Sequence, residues 1–284
     1  MWPTDWRRNG WDWNCAGFEH MKTIQSHDGT EIRYAVCGTG PVNLMFFHGW
    51  GGNRQMWTNV IPHFDGARFR SVNLDMRGHG ESACSEFGYT WDSFASDALA
   101  VADQEGMVEF VPVGFSMGAK LACYLAAKYP RRIRALILVA PPALGVVPIS
   151  RELGMQVCRD ASDWKQIKPF FKNLWFGPSP DEELVDGCCQ SISRIPRFVL
   201  EATAEMSLWT SIESSVGRLD LPALVAAGEF DPVYNPEYQQ KHTLPHLEQG
   251  SSVTLAAGHF IPLECPNALA ASITAFLKTI GVFA

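Results

Sequence analysis

Two features are scarce in this 284-residue sequence, and each absence excludes a class of protein. No apolar run reaches the roughly 20 residues that a membrane-spanning helix needs. Positive charge is also in deficit, with 23 Lys and Arg against 30 Asp and Glu and a formal net charge of −7. An acidic chain without a basic patch is a poor partner for nucleic acid or for an anionic membrane. We therefore expect a protein that binds neither.

The spacing of the cysteines and histidines predicts neither disulfides nor a metal site. The eight cysteines form no CxxC motif and no disulfide-like framework. His242 and His246 are four positions apart, but Pro245 between them argues against the helix that would align them as metal ligands. We therefore expect no metal, no cofactor and a reducing, cytoplasmic compartment.

The first twenty residues differ from the rest of the chain. They carry four tryptophans and lack the charged start, apolar stretch and cleavage site of a signal peptide. We interpret 1–20 as an N-terminal extension. The sequence leaves open whether this segment docks on the body or joins a dimer contact, and it leaves the oligomeric state open as well.

The remainder has ample apolar content, 46% over the whole chain, and a length suited to one large domain with an insertion. Strand-like apolar runs alternate with helical patterns, which predicts an α/β fold with a mostly parallel, eight-stranded sheet and helices on both faces. The predicted strands are 21–25, 30–36, 42–47, 69–74, 108–113, 133–139, 223–227 and 253–255.

The most informative motif is Gly-Phe-Ser-Met-Gly at 114–118, between a predicted strand and a helical pattern at 119–128. A Gly-x-Ser-x-Gly in that context is typical of a nucleophile elbow. The turn is so sharp that the serine is strained and only glycine fits on either side. We predict Ser116 as the nucleophile. The N–H of Met117, at a helix N-terminus, favours negative charge and is a predicted oxyanion donor.

A serine nucleophile needs a base and an orienting carboxylate. His259 follows a predicted strand and is the natural base. Asp231 follows the strand before it and is the natural acid, although an aspartate before proline is also a common turn residue. Among its competitors, Asp220 precedes the strand and Glu229 lies too close to the strand end.

A second oxyanion donor is expected from the segment Leu-Met-Phe-Phe-His-Gly-Trp-Gly-Gly at 44–52. It is a buried strand that runs into a glycine-rich turn. The backbone N–H of Trp50 is the predicted donor beside that of Met117.

With the segment Asp-Met-Arg-Gly-His-Gly-Glu-Ser at 75–82, these motifs resemble the α/β-hydrolase fold family from about residue 21 to the C-terminus. The resemblance implies a structural role for Asp75 and His79. Some members place the acid one strand earlier, but no Asp or Glu stands between the strand at 133–139 and Glu152. The segment at 45–51 is similar to pimeloyl-ester esterases and to cofactor-free haloperoxidases and perhydrolases.

Residues 116 and 119 show which members of the family the sequence resembles and where it departs from the family pattern. Serine rather than aspartate at 116 argues against haloalkane dehalogenases and soluble epoxide hydrolases, which are otherwise similar. Ala119 stands where many members have a second glycine, and alanine fits the same tight contact.

Between residues 142 and 212 no strands are predicted. Helical patterns follow one another there, at 152–157, 164–171, 181–192 and 196–206. This is the position of the family's cap, so we predict a core of 21–141 and 213–284 with a helical cap at 142–212. A cap excludes water and shapes an apolar substrate pocket. Arg194 and Arg197 could meet a substrate carboxylate, although a solvated helix face is the simpler interpretation. The predicted pocket residues are Phe115, Trp175, Phe176, Trp209 and Phe260.

The sequence thus predicts a serine hydrolase that cleaves a carboxylic ester or lactone of a hydrophobic small molecule through an acyl-enzyme. Alternatives are carbon–carbon bond hydrolysis or perhydrolysis by the same triad, and a ligand receptor with slow turnover. A biosynthetic cyclase and a non-catalytic scaffold are weaker options. The acyl and alcohol parts are not specified by the sequence.

Overall fold

The computed structural model describes residues 21–283, so the predicted extension at 1–20 lies outside it. Eight strands form one sheet in the order β1-β2-β4-β3-β5-β6-β7-β8, and every neighbouring pair from β4 to β8 is parallel. Only β1 and β2 run antiparallel to their neighbours. The strands are β1 (Lys22–Gln25), β2 (Glu31–Cys37), β3 (Val42–Phe47), β4 (Phe69–Leu74), β5 (Val111–Phe115), β6 (Leu136–Val139), β7 (Leu219–Gly228) and β8 (Leu247–Leu255).

Ten α-helices accompany the sheet in the described residues. They are α1 (Trp91–Gln104), α2 (Met117–Lys128), α3 (Arg151–Asp160), α4 (Trp164–Trp175), α5 (Glu182–Ser193), α6 (Arg197–Ala204), α7 (Glu213–Val216), α8 (Pro236–His242), α9 (Ile261–Glu264) and α10 (Pro266–Thr279). A π-helical turn, Glu205–Trp209, continues α6. Short 3₁₀ turns lie at Arg54–Trp57, Ile61–His63, Pro130–Arg132 and Leu244–His246.

The sheet separates two apolar cores because successive strand side chains point to opposite faces. In β3, Leu44 and Phe46 belong to one core, and Met45 and Phe47 to the other. The first core includes α10 and much of α3–α6, and the second includes α1 and α2. This arrangement confirms the predicted mostly parallel sheet with helices on both faces.

Helices α3 to α6 lie between β6 and β7, and we call the segment 142–212 the helical insertion. Its two ends meet in what we call the neck. There the N–H of Val147 donates to Leu208 O at 2.7 Å, and the N–H of Ile212 donates to Leu144 O at 2.8 Å. The Lys120 ammonium, on α2, is also tied into the neck. The division into core and cap domains stays a prediction.

Lys120 is 1% exposed and its ammonium donates to Gly145 O at 3.1 Å and to Ser207 O at 2.9 Å. A third carbonyl, that of Thr210, lies at 3.5 Å. Burial lowers the pKa of Lys120 to about 8. One core ammonium therefore holds both ends of the insertion.

The strand boundaries differ from the sequence-based prediction where the residues at the start of a strand are exposed to solvent. The strand predicted from Val108 begins at Val111, and Val108 is 79% exposed. β8 starts six residues before the predicted Val253, at Leu247. Its first half is an exposed edge strand rich in Gly and Ser, which carries no apolar periodicity. None of the described helices is long and apolar enough to cross a membrane.

Candidate active site

The turn between β5 and α2 has the backbone of a nucleophile elbow. Ser116 has φ +50° and ψ −115°, outside the regions that non-glycine residues favour. A Cβ on Gly114 would lie 2.2 Å from Gly118 O, and a Cβ on Gly118 would lie 2.4 Å from Phe47 O. Both glycines are therefore required for the close approach of backbone to backbone. Ser116 is held, partly exposed, at the carboxyl end of the sheet.

The glycine-rich turn after β3 lies directly against this elbow. A Cβ on Gly49 would be 3.3 Å from Ser116 Cβ and 2.8 Å from the ring of Phe115. Trp50 follows at once, and its indole N–H donates to Leu200 O of the insertion at 3.0 Å. The predicted donor segment and the predicted nucleophile are thus adjacent.

Asp231 and His259 lie in contact, as expected for residues that follow the neighbouring parallel strands β7 and β8. His259 Nδ1 lies 2.8 Å from Asp231 Oδ2, and the two residues are 6% and 1% exposed. The other carboxylate oxygen accepts the N–H groups of Val233 and Tyr234, both at 2.9 Å. Burial alone would raise the pKa of Asp231, but His259 and these N–H groups hold it below its ordinary value. The carboxylate is therefore ionised and fixed at neutral pH.

Aromatic rings enclose the imidazole on several sides. The ring centroids of Phe115, Trp175 and Tyr234 lie 4.9, 4.8 and 5.2 Å from that of His259. Phe115 directly precedes Ser116, so the imidazole lies next to the elbow. Burial raises the pKa of Tyr234 well above its ordinary value, which keeps this neighbour uncharged.

The predicted pocket aromatics divide into two groups. Phe176 stacks on Phe260 at 4.6 Å, and Phe260 contacts the ring of Phe115 at 5.7 Å. Trp209 lies elsewhere in the insertion, where its N–H donates to Ile149 O at 2.9 Å. A Cβ on Gly154 of α3 would lie 2.6 Å from its ring.

The helical insertion contacts two segments of the site, the turn after β3 and residues 256–260 between β8 and α9, which we call the histidine loop. The N–H of His259 donates to Trp175 O at 2.7 Å. A Cβ on Gly51 would lie 2.7 Å from Ile192 of α5. The amide of Asn53 donates to Ser191 Oγ at 2.9 Å. Both the histidine loop and the turn after β3 are therefore braced by the insertion.

A cavity of about 510 Å³ lies between the turn after β3 and α5. It adjoins the elbow region through Trp50 and Phe260, whereas Ser116 and His259 do not line it. Its remaining lining includes both apolar and polar or charged side chains, namely Met56, Ile192, Leu263, Cys188, Asn53, Gln55, Glu183, Asp186, Gln190, Ser191 and Arg194.

Asp75 and His79 lie together beneath the turn after β3. Asp75 accepts the N–H of Arg54 at 2.7 Å and pairs with its guanidinium. His79 packs against His48, with ring centroids 5.1 Å apart. Burial lowers the pKa of His48 to about 4 and that of His79 to about 3, so both rings are neutral at pH 7.

His48 links two of these segments through its ring nitrogens. Its Nε2 accepts the N–H of Met76 at 3.0 Å, so its Nδ1–H donates to Gly49 O at 2.8 Å. The neutral ring therefore joins the turn after β3 to the loop after β4.

Sequence analysis missed three polar or aromatic neighbours of the site. Tyr234 and Glu264 flank the histidine loop, and Ser191 holds Asn53. The only local signal was the position of Glu264, five residues after His259. The other contacts of these three side chains join positions that are distant in sequence, so no local pattern marked them.

Known proteins are similar in sequence to much of this chain. A family model described as the alpha/beta hydrolase fold matches residues 42–190. A non-heme haloperoxidase from Rhodococcus erythropolis is 34% identical over 75% of this chain and 83% of its own length. A 3-oxoadipate enol-lactonase from Acinetobacter baylyi is 26% identical over 91% of this chain and 97% of its own.

Among solved structures, a thermophilic esterase from Thermogutta terrifontis superposes with a TM-score of 0.81. It is 25% identical and covers 92% of this chain and 99% of its own. The match therefore extends over most of the fold.

Proposed function

This chain belongs to the α/β-hydrolase fold family, and we propose that it is a serine hydrolase for a carboxylic ester or lactone of a hydrophobic small molecule. The observation that carries the proposal is the buried Asp231–His259 pair beside a serine held at φ +50°. The similarity to an enol-lactonase and to an esterase supports this choice of bond.

In this mechanism Ser116 Oγ attacks the substrate carbonyl carbon while His259 Nε2 takes the hydroxyl proton. Asp231 accepts from Nδ1–H, which fixes the tautomer and stabilises the imidazolium. The backbone N–H groups of Trp50 and Met117 stabilise the oxyanion of the tetrahedral intermediate. The carbon–oxygen bond to the leaving group then breaks, and His259 returns the proton to the alkoxide.

Water completes the cycle by the same route. His259 removes a proton from water, the hydroxide adds to the acyl carbon, and collapse releases the acid and regenerates Ser116. We propose that the apolar part of the substrate occupies the cavity beside Trp50 and Phe260, where Ile192 and Leu263 also contribute apolar surface. Aromatic and aliphatic lining of that kind suits an organic chain or ring.

The relative named as a haloperoxidase favours a second reaction at the same site. Hydrogen peroxide in place of water would attack the acyl-enzyme and release a peracid, with the same proton transfers through His259. Addition of peroxide to the substrate panel tests this alternative directly.

The decisive experiment combines a serine-directed fluorophosphonate with a panel of esters and lactones. The wild type is expected to be labelled at Ser116 and to turn over panel members. Ser116→Ala should abolish labelling and lower kcat on the order of 10³-fold or more while the protein stays folded. Labelling at another serine with activity retained contradicts the proposal. Tight binding of panel members without turnover supports the receptor alternative.

A further inference from the structure

One glutamate links the histidine loop to the helical insertion. Glu264 ends α9, five residues after His259. Its Oε2 accepts the N–H of Gly258 at 3.1 Å and the N–H of Gly177 at 2.7 Å. Gly258 directly precedes the histidine, and Gly177 lies two residues after Trp175, the last residue of α4. A single carboxylate oxygen therefore ties the backbone of His259 to the insertion.

The backbones joined by this oxygen are closely packed. A Cβ on Gly258 would lie 2.4 Å from Gly177 N and 2.4 Å from the carbonyl carbon of Phe176. The N–H of His259 donates to Trp175 O in the same stretch. The side chain of His259 is thus held by Asp231, and its main chain is held by these contacts.

The carboxylate also acts on the ring through charge. Burial raises the pKa of Glu264, whereas the N–H groups of Gly258 and Gly177 and the nearby His259 oppose that rise. An anion beside an imidazole favours its protonated form. The other titratable groups facing this pair are Asp231 and Tyr234 after β7, Cys188 on α5 and Cys265 after α9.

We propose that Glu264 is a positioning residue for His259, which fixes the main chain at Gly258 and couples the imidazole to the helical insertion through Gly177. The inference rests on the proposed function because it takes His259 as the general base. It assigns the reaction a second carboxylate that, unlike Asp231, acts through the backbone and through charge.

The test compares Glu264→Ala and Glu264→Gln with Glu237→Gln, which removes an exposed carboxylate on α8. Glu264→Ala should lower kcat about 10-fold with a small change in KM, since a slight misplacement of a catalytic group costs up to roughly 10²-fold. Glu264→Gln should recover much of kcat because its amide oxygen still accepts the two N–H groups. Glu237→Gln should match the wild type.

The pH profile separates positioning from simple support of the fold. In both Glu264 variants the acid limb of kcat/KM should move to lower pH, because the imidazolium loses a neighbouring anion. Unchanged kcat and an unmoved acid limb overturn the inference, as does a loss confined to melting temperature. If Glu264→Ala does not fold, Glu264→Gln and its acid limb decide.

Fluorophosphonate labelling distinguishes failure of this inference from failure of the proposed function. A wild type that is neither labelled nor active overturns both. A labelled, active wild type whose Glu264 variants match it in rate and pH profile overturns the role of Glu264 alone.

Discussion

Asp231 and Asp75 occupy two loops at the same edge of the sheet and are built almost alike. Each is no more than 1% exposed, and each accepts two backbone N–H groups and one cationic or titratable side chain. The partners differ in chemistry. The guanidinium of Arg54 beside Asp75 carries a permanent charge, whereas the imidazole of His259 beside Asp231 can accept and release a proton. A similar set of hydrogen-bond partners therefore suits a fixed support in one loop and proton transfer in the other.

The largest loss of rate is expected from a substitution of Asp231. Asp231→Asn should lower kcat on the order of 10³-fold with little change in KM, because the amide no longer fixes the required tautomer of His259. Steady-state kinetics on an ester found with the panel measures both constants. Near wild-type kcat would show that Asp231 is not the triad acid.

The matching change in the other loop should act on stability instead. Asp75→Asn removes the buried carboxylate that pairs with Arg54 and leaves the guanidinium with the partly exposed Glu81, so we expect a loss of up to about 3 kcal/mol in the free energy of unfolding. Denaturant titration measures this loss, and kcat of the folded fraction should fall far less than in Asp231→Asn. Equal losses of rate in the two variants would abolish the distinction between the loops.

Lys120 extends the comparison to a buried charge held by carbonyls alone. Its pKa of about 8 in the folded protein lies below the ordinary 10.5, so between these values the unfolded chain binds more protons. The contribution of Lys120 to stability is therefore smallest below pH 8 and rises toward pH 10.5. The difference in unfolding free energy between wild type and Lys120→Met should grow by at most about 1.4 kcal/mol per pH unit in that window.

Denaturant titrations of both proteins at about pH 7.0, which lies below the window, and at about pH 8.5 and 9.5, which lie within it, measure this slope. A difference that is constant, or that shrinks as the pH rises, contradicts the assigned direction.

The smallest effects are expected at the two other carboxylates near β7. Asp220 is exposed and accepts from Gln249 Nε2 at 2.8 Å, and Glu229 is also exposed. Asp220→Asn and Glu229→Gln should each change kcat less than about twofold, as surface substitutions usually do. A severe loss in either would move the role of acid away from Asp231.

The predictable parts of the molecule are those with local causes. The elbow at 114–118 follows from turn chemistry, and the Asp231–His259 contact follows from the rule that parallel strands end at one edge. The contacts of Lys120 with Ser207 and of Glu264 with Gly177 each join positions 87 residues apart. No local pattern encodes such pairs, because they form only when the insertion packs on the core.

The edge of the sheet was also hard to predict, for a related reason. Residues of β8 such as Ser251 and Ser252 are exposed, so they need no apolar alternation to pair with β7. The apolar pattern marks burial, and it identified only the last three residues of this strand.

The neck of the helical insertion gives the molecule a place to vary. Its two ends are already joined by the Val147–Leu208 and Ile212–Leu144 bonds and by Lys120. A chain closed at its base can double in length for roughly 0.6 kcal/mol of closure entropy. Descendants of this protein can therefore lengthen or shorten those parts of the segment above the neck that do not contact the site, without altering the sheet.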